Sequence, residues 1–352
     1  ALALIAVGSL QLLYWKSVSG QFFFYSYGDD KGFSFLQPHI LDGLFSFRKG
    51  WLVYTPMMVF ALLGFVPLYR RSKALVFPIL AFCLINMYVV FSWDIWWYGG
   101  GFGQRALIQS YPLLAIPLAA CIDRMRQKKA LAIAGFTLMF LFTDLNLMQT
   151  WQIHASGGGL RTDYVNGVYY WKVFATTRAR QSDLKYLDAP RELRSTRNRE
   201  LRSLLKQDFE SDPAVWRSRD HAFSGEYAAK VDAAHPEILL YEVPLRETGH
   251  APETWFRVQA QIFYESHGGD EEKMARFMAV FVRHDTGEEY GRIGVKLQRL
   301  AGSWQWYALQ FDHRMARGAH PDDRFRLYLL NPDPAHPVWV DAVKLTLISP
   351  KL

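Results

Sequence analysis

The 352-residue chain has two cysteines, Cys83 and Cys121, and both sit inside apolar runs. That leaves no disulfide framework and no thiolate metal centre; both read as small buried hydrophobes. No cluster of His, Cys and carboxylates has metal-ligand spacing, and His313, His320 and His336 are scattered among turn residues. No metal site is therefore expected. A Ser-His-Asp arrangement and a phosphate-cradling Gly-Lys loop are also missing. Formal charge is absent from three long stretches, 51–68, 74–91 and 106–122.

What is present is unevenly spread. Half of the residues are hydrophobic and 16% aromatic, yet 21% are charged and the mean hydropathy is −0.05. Two unlike halves explain that average, with the change near residue 150. About 20 mostly apolar residues span a bilayer. The three uncharged stretches fit, 130–148 fits with Asp144 as its one charge, and 1–15 makes a fifth candidate. The opening "ALALIAVGSLQLLYW" has no charged leader and reads as the tail of a membrane helix, so further chain is expected upstream. The expectation is a polytopic α-helical membrane domain (1–150), a linker (151–207) and an all-β domain (208–352).

The short loops set orientation. "RRSK" (70–73) and "DRMRQKK" (123–129) are basic and separate consecutive spans, which assigns both to the cytoplasm. Residues 16–50, 92–105 and everything after about 150 then face the far side. Far-side loops are usually poor in Lys and Arg, yet "FSFRKGW" puts Arg48 and Lys49 directly before a span, and Arg105 opens another. Such cations either anchor at headgroup level or hold a bound phosphate. Trp93, Trp96, Trp97 and Tyr98 form either an interfacial aromatic belt or a surface for sugar rings. Asp94 reads as an acceptor for hydroxyls or an exposed interface residue, and His39 as a polar contact or plain surface.

The stretches "HILDGLFSFRKGWLVYTPMMVFALLGF" and "WDIWWYGGGFGQRALIQSYPLLAIPLA" resemble the later transmembrane segments of bacterial GT-C glycosyltransferases, the polyprenyl-phosphate-sugar-dependent group related to protein mannosyltransferases. The family's SPR-x-G entry to one helix corresponds to Ser46–Gly50, with Phe47 at the proline position. Its G-x-FG-x-R entry to a later helix corresponds to Gly101–Arg105. The resemblance covers roughly residues 10–122. It implies sugar transfer from a polyprenyl-phosphate donor to a periplasmic acceptor, with Arg105 first, then Arg48 and Lys49, holding the lipid phosphate. It implies sugar or acceptor contact by the aromatic loop. The family's catalytic acid lies in an early far-side loop that precedes this chain, so no catalytic residue is assigned and Asp29 and Asp30 are not given that role.

Residues 178–206 hold nine Lys/Arg against four Asp/Glu. From Pro190 this reads as a basic amphipathic helix that lies on anionic headgroups or against the next domain. A far-side location argues against a nucleic-acid arm. Beyond 208, strand candidates at 226–231, 238–243, 255–264, 276–283, 290–298, 304–311, 324–330 and 338–347 point to an antiparallel sandwich. Phe256, Val258, Ala260 and Ile262 alternate with Arg257, Gln259 and Gln261. Trp304 and Trp306 fall on one face of a strand and are read as core. The opening "DFE…SGEYAAKV" and closing "VWVDAVKL" resemble the ends of galactose-binding-like jelly rolls found as carbohydrate-binding modules.

The expected protein is thus a bacterial inner-membrane glycosyltransferase, or its C-terminal portion, with a periplasmic sandwich. The alternative is a non-catalytic membrane scaffold whose sandwich binds a partner protein or glycan. Partners are membrane lipids, a polyprenyl-phosphate sugar, a glycan or protein acceptor and a membrane complex. No cofactor is expected, and a divalent metal is left open.

Overall fold

The computed structural model describes residues 2–24, 32–155, 157–160, 163–211, 216–249, 251 and 253–351; Asp29 and Asp30 lie outside them. The chain divides into two compact units, Ala1–Leu147 and Met148–Leu352.

The first unit is helical. It comprises α1 (Leu2–Ser19), α2 (Ile40–Phe45), α3 (Trp51–Tyr54), α4 (Met58–Arg71), α5 (Lys73–Phe91), α6 (Tyr111–Arg126) and α7 (Lys129–His154), the last running into the second unit. A 3-10 stretch, Arg105–Ser110, leads directly into α6. Among the described residues, three helical stretches are long and apolar enough to cross a membrane: Lys73–Phe91, Arg105–Arg126 and Lys129–His154.

The expected unbroken span over 51–68 is corrected. Proline disfavours helical geometry in the residue before it, and Thr55, preceding Pro56, has φ −136° and ψ 62°. Helix resumes only at Met58. The 14 residues of α4 rise about 21 Å, against a hydrocarbon core of about 30 Å.

Small residues bring the helices together. A Cβ on Gly64 would lie 1.8 Å from the Pro117 carbonyl oxygen, so α4 and α6 pack backbone against backbone. A Cβ on Gly43 would lie 2.3 Å from the Phe91 ring, closing α2 onto α5. At one end of the unit the two basic turns meet, with Arg71 Nη1 donating to Asp123 Oδ2 at 3.1 Å. The Arg48–Lys49 turn and the 92–105 loop meet at the other.

The second unit opens on the end of α7 and a short helix, α8 (Gly167–Val173), capped by the Asn166 side chain, which accepts from the Tyr169 N–H at 3.0 Å. An antiparallel β-sandwich follows, built from β1 (Arg199–Gln207), β2 (Arg217–Ser218), β3 (Ala228–Val231), β4 (Glu237–Pro244), β5 (Trp255–Tyr264), β6 (Arg276–Val282), β7 (Glu289–Lys296), β8 (Tyr307–Arg314), β9 (Arg324–Leu330) and β10 (Val338–Pro350). One sheet runs β2-β3-β10-β5-β8 with β1 also on β10; the other runs β4-β9-β6-β7. Strand β10 organises the larger sheet. Its first residues pair with β3 and the rest with β1, while β5 lies along its other side. Phe256, Val258, Ala260 and Ile262 face inward as their alternation predicts, and Phe256 stacks on Phe325 at 3.9 Å between ring centres.

The basic helix expected from Pro190 does not form. Residues 191–198 carry no helix, and 199–207 is β1, paired with β10. Two carboxylates hold the stretch down. Asp188 accepts from Arg299 at 2.9 Å, and Asp312 accepts from the Leu193 N–H at 2.8 Å. Edge pairing along β10 outweighs the modest helix propensity of an Arg- and Leu-rich run. Trp304 is also corrected: β8 begins at Tyr307, and Trp304 sits in the preceding turn at φ 61°.

Candidate functional site

In the helical unit, the loop after α5 is held by its own polar groups. Asp94 accepts from the Gly32 N–H at 2.8 Å and the Ser34 hydroxyl at 2.6 Å, and Phe33 forms a lone bridge with Trp93. Tyr98 donates to the Val90 carbonyl at 2.9 Å, and Gln104 to the Trp96 carbonyl at 3.1 Å. These bonds fix the loop before any ligand arrives. Trp93 and Trp96 are buried by them, with Trp93 edge-on to Phe33 at 4.9 Å. Their rings serve the loop's packing. His39 lies alongside, its ring 6.4 Å from that of Trp96.

The three cations are each treated differently. Arg48, half-buried, stacks on the half-buried Trp97 ring, its guanidinium 3.4 Å from the ring centre. Lys49 is buried and donates to the Gly101 carbonyl at 2.5 Å. Arg105 is exposed and has no hydrogen bond or ion pair among the described residues. Gly101 joins the last two. Its carbonyl takes Lys49, and a Cβ there would lie 2.9 Å from Arg105 Cδ. Gly103 is needed for another reason: φ is 49°, and its Cβ position is 3.0 Å from Tyr54 Cβ. The sequence brought Arg105, Arg48 and Lys49 forward for phosphate and the aromatic loop for sugar. The structure brings Lys49 and Arg105 to Gly101 and sets Arg48 on Trp97 of the aromatic loop, with Asp94 as an internal brace.

In the sandwich, an aromatic cluster covers the outer face of the larger sheet. Phe263 of β5 and Trp339 of β10 are buried cross-strand neighbours and form its floor. The His221 ring lies over them, 4.2 Å from Phe263 and 4.6 Å from Trp339, and contacts Glu265 at 2.8 Å. Trp306 packs on Phe263 at 5.4 Å and Phe223 on Trp306 at 5.7 Å. Trp304 closes the group, 6.0 Å from His221, and is 65% exposed. Phe223 is 49% exposed. Exposed aromatic faces beside His221, Glu265 and Lys230 can stack on a ring while offering hydrogen bonds at its edge. Sequence reasoning missed this group because it extended β8 backward over Trp304. The Gly302–Ser303 pair before Trp304 was the available turn signal.

A third group lies at one end of the sandwich. Asp323 is buried, and its Oδ1 receives the His284 backbone N–H at 3.0 Å and faces the His284 ring nitrogen Nδ1 at 2.8 Å. Its Oδ2 takes the Tyr290 hydroxyl at 2.5 Å and the His320 backbone N–H at 2.9 Å. Burial pushes this carboxyl up, but the Tyr290, His320 and His284 donors together outweigh it and hold its pKa well below the usual range.

No family model matches the chain, and no curated protein matches it. Solved structures similar to it include the C-terminal family 22 carbohydrate-binding module of Clostridium thermocellum Xyn10B, at 14% identity over 43% of this chain and 97% of that one, TM-score 0.28. A family 16 carbohydrate-binding module is 11% identical over 37% of this chain and 82% of that one, TM-score 0.26. A cyclase from Fischerella sp. TAU is 14% identical over 40% of this chain and 73% of that one, TM-score 0.24. Binding modules and a cyclase match at the same level, so the likeness carries no functional argument. What each of those proteins binds or does stays with that protein.

Proposed function

We propose that this chain is a bacterial inner-membrane glycosyltransferase, or a portion of one, that holds a polyprenyl-phosphate sugar beside Arg105. The observation that carries this reading is an exposed Arg105 guanidinium, without a hydrogen bond or ion pair among the described residues, next to a loop already braced around Gly101. Transfer of the sugar expels a lipid phosphate, and negative charge builds on the leaving oxygen. A guanidinium at that oxygen stabilises the charge through two parallel hydrogen bonds, more strongly where water is partly excluded. Arg48 and Lys49 add fixed positive charge nearby. Paired basic turns at the opposite end of the helical unit support a cytoplasmic assignment for that end. Helix α7 starts from the basic end, so the sandwich that follows belongs to the periplasm, where its aromatic face takes a glycan of the acceptor.

The second reading is a non-catalytic membrane scaffold whose sandwich binds a partner protein or glycan; the exposed Trp304 and Phe223 rings favour it without calling for turnover. Only the first reading requires lipid-phosphate binding and turnover; the second requires binding by the sandwich alone.

The test is binding of polyprenyl phosphate to the full chain in lipid nanodiscs, followed by transfer from polyprenyl-phosphate sugar. Arg105→Ala should weaken binding at least about tenfold, the loss of about 1.4 kcal/mol, and Arg105→Lys should recover part of it. Equal binding by wild type and Arg105→Ala removes the phosphate site. Glycan binding by the sandwich with neither lipid-phosphate binding nor turnover selects the scaffold.

A further inference from the structure

The sequence holds no metal-ligand spacing, but the fold assembles ligands from separate loops. We propose that His284, His320 and Asp323 bind one borderline transition-metal ion of the zinc class. Their donor atoms all lie within 4.8 Å of one another. His284 follows β6, whereas His320 and Asp323 belong to the turn before β9, so no local motif announces the set.

Ligand chemistry favours this class of ion. Two imidazoles and one carboxylate suit zinc, which takes three protein ligands and a water in open tetrahedral sites. Zn–N and Zn–O bonds of about 2.0–2.2 Å place neighbouring ligand atoms about 3.4 Å apart. The 2.8 Å His284–Asp323 contact opens slightly to accept the ion. The His284 ring proton leaves to solvent, and the cation takes its place between nitrogen and oxygen. The two imidazoles stack 4.3 Å apart with planes 20° from each other, so one ring must turn for both in-plane lone pairs to meet at one ion. His320 is half exposed, so its ring can rotate to close the remaining distance.

The surroundings are those of a supported ligand set. A carboxylate that binds a metal is itself held by hydrogen bonds, which fix its orientation. Asp323 is held by the Tyr290 hydroxyl and by two backbone N–H groups. His284 also lines an open cleft of about 510 Å³, which leaves room for the water that completes the coordination.

The experiment uses the untagged full chain in detergent, stripped with a chelator and titrated with zinc or cobalt(II). One equivalent should bind, cobalt should give the visible absorption of a tetrahedral site, and zinc should raise the melting temperature. His320→Asn should weaken zinc binding at least about tenfold and abolish the cobalt band. His284→Gln provides a second variant, and melting of the metal-free proteins confirms that each is folded. No saturable zinc uptake, or equal uptake by wild type and both variants, overturns the site.

Discussion

The two units dispose of their large apolar side chains in opposite ways. In the helical unit Leu63, Val66, Phe77, Ile85 and Phe140 face outward, Phe140 at 71% exposure. In the sandwich Phe256, Phe277, Phe281 and Phe325 are fully buried. Burial from water drives folding of the sandwich. It accounts for only part of the helical unit, where a small core around Trp51, Phe91, Leu107 and Leu114 sits beside close backbone approach, as at Gly64 on Pro117. That pattern belongs to helices whose surroundings are themselves apolar, which agrees with the membrane reading proposed above.

The largest effect should come from making one substitution in both units. Phe256→Ala removes a side chain stacked on Phe325 in a closed core and should cost about 3–5 kcal/mol. Phe140→Ala removes an outward ring and should change stability by no more than about 0.5 kcal/mol. Denaturant unfolding of the full chain in detergent, followed for each unit separately, checks both. A comparable loss from Phe140→Ala would mean that the ring packs on protein, and the contrast would fail.

Much of this contrast was legible in the sequence. Period-two alternation in 255–264 survives folding because β5 buries one face of each residue pair, and the long apolar runs survive as α5, α6 and α7. Failures arose where distant chain decides local structure. The run from Pro190 looked helical, and only the edge of β10, over a hundred residues later, makes 199–207 a strand. Thr55–Pro56 did announce a break, but hydropathy summed over a window conceals one proline. Arg48, Lys49 and Arg105 came forward as cations at helix entrances and through the glycosyltransferase resemblance, whereas burial of Trp93 and Trp96 was not readable. Composition shows that a ring is present; packing decides which way it faces.

Acid sharpens the comparison further. His313 is buried against Phe281 at 4.8 Å between ring centres, and its Nε2 has no hydrogen-bond partner among the described residues. Burial pushes its pKa down to about 4, against a weaker opposing hydrogen bond with the Gly291 backbone. In the unfolded chain it titrates near about 6.5. Between these values the unfolded chain binds more protons, so stability rises with pH and falls as pH drops from about 6.5 toward about 4. The loss should total roughly 3 kcal/mol. Unfolding of wild type and His313→Leu at pH 7 and pH 5 checks this. The variant should have the shallower dependence, and parallel profiles would exclude His313 as its source.

Trp304 is the point where the sandwich behaves like the other unit. It is large, apolar and 65% exposed, and it holds a left-handed backbone at φ 61°. A non-glycine residue in that region carries strain, so exposed contact area and backbone strain both argue that stability alone does not select it. Trp304→Ala should therefore alter unfolding free energy by no more than about 0.5 kcal/mol. If the aromatic face takes glycan, loss of one stacking ring should weaken binding about tenfold or more. Affinity electrophoresis against soluble polysaccharides reads the second effect, and Phe223→Ala should act in the same direction through its contact with Trp306. Full retention of binding by Trp304→Ala would move the glycan elsewhere. Destabilisation comparable to Phe256→Ala would return Trp304 to the core, where its alternation with Trp306 first placed it.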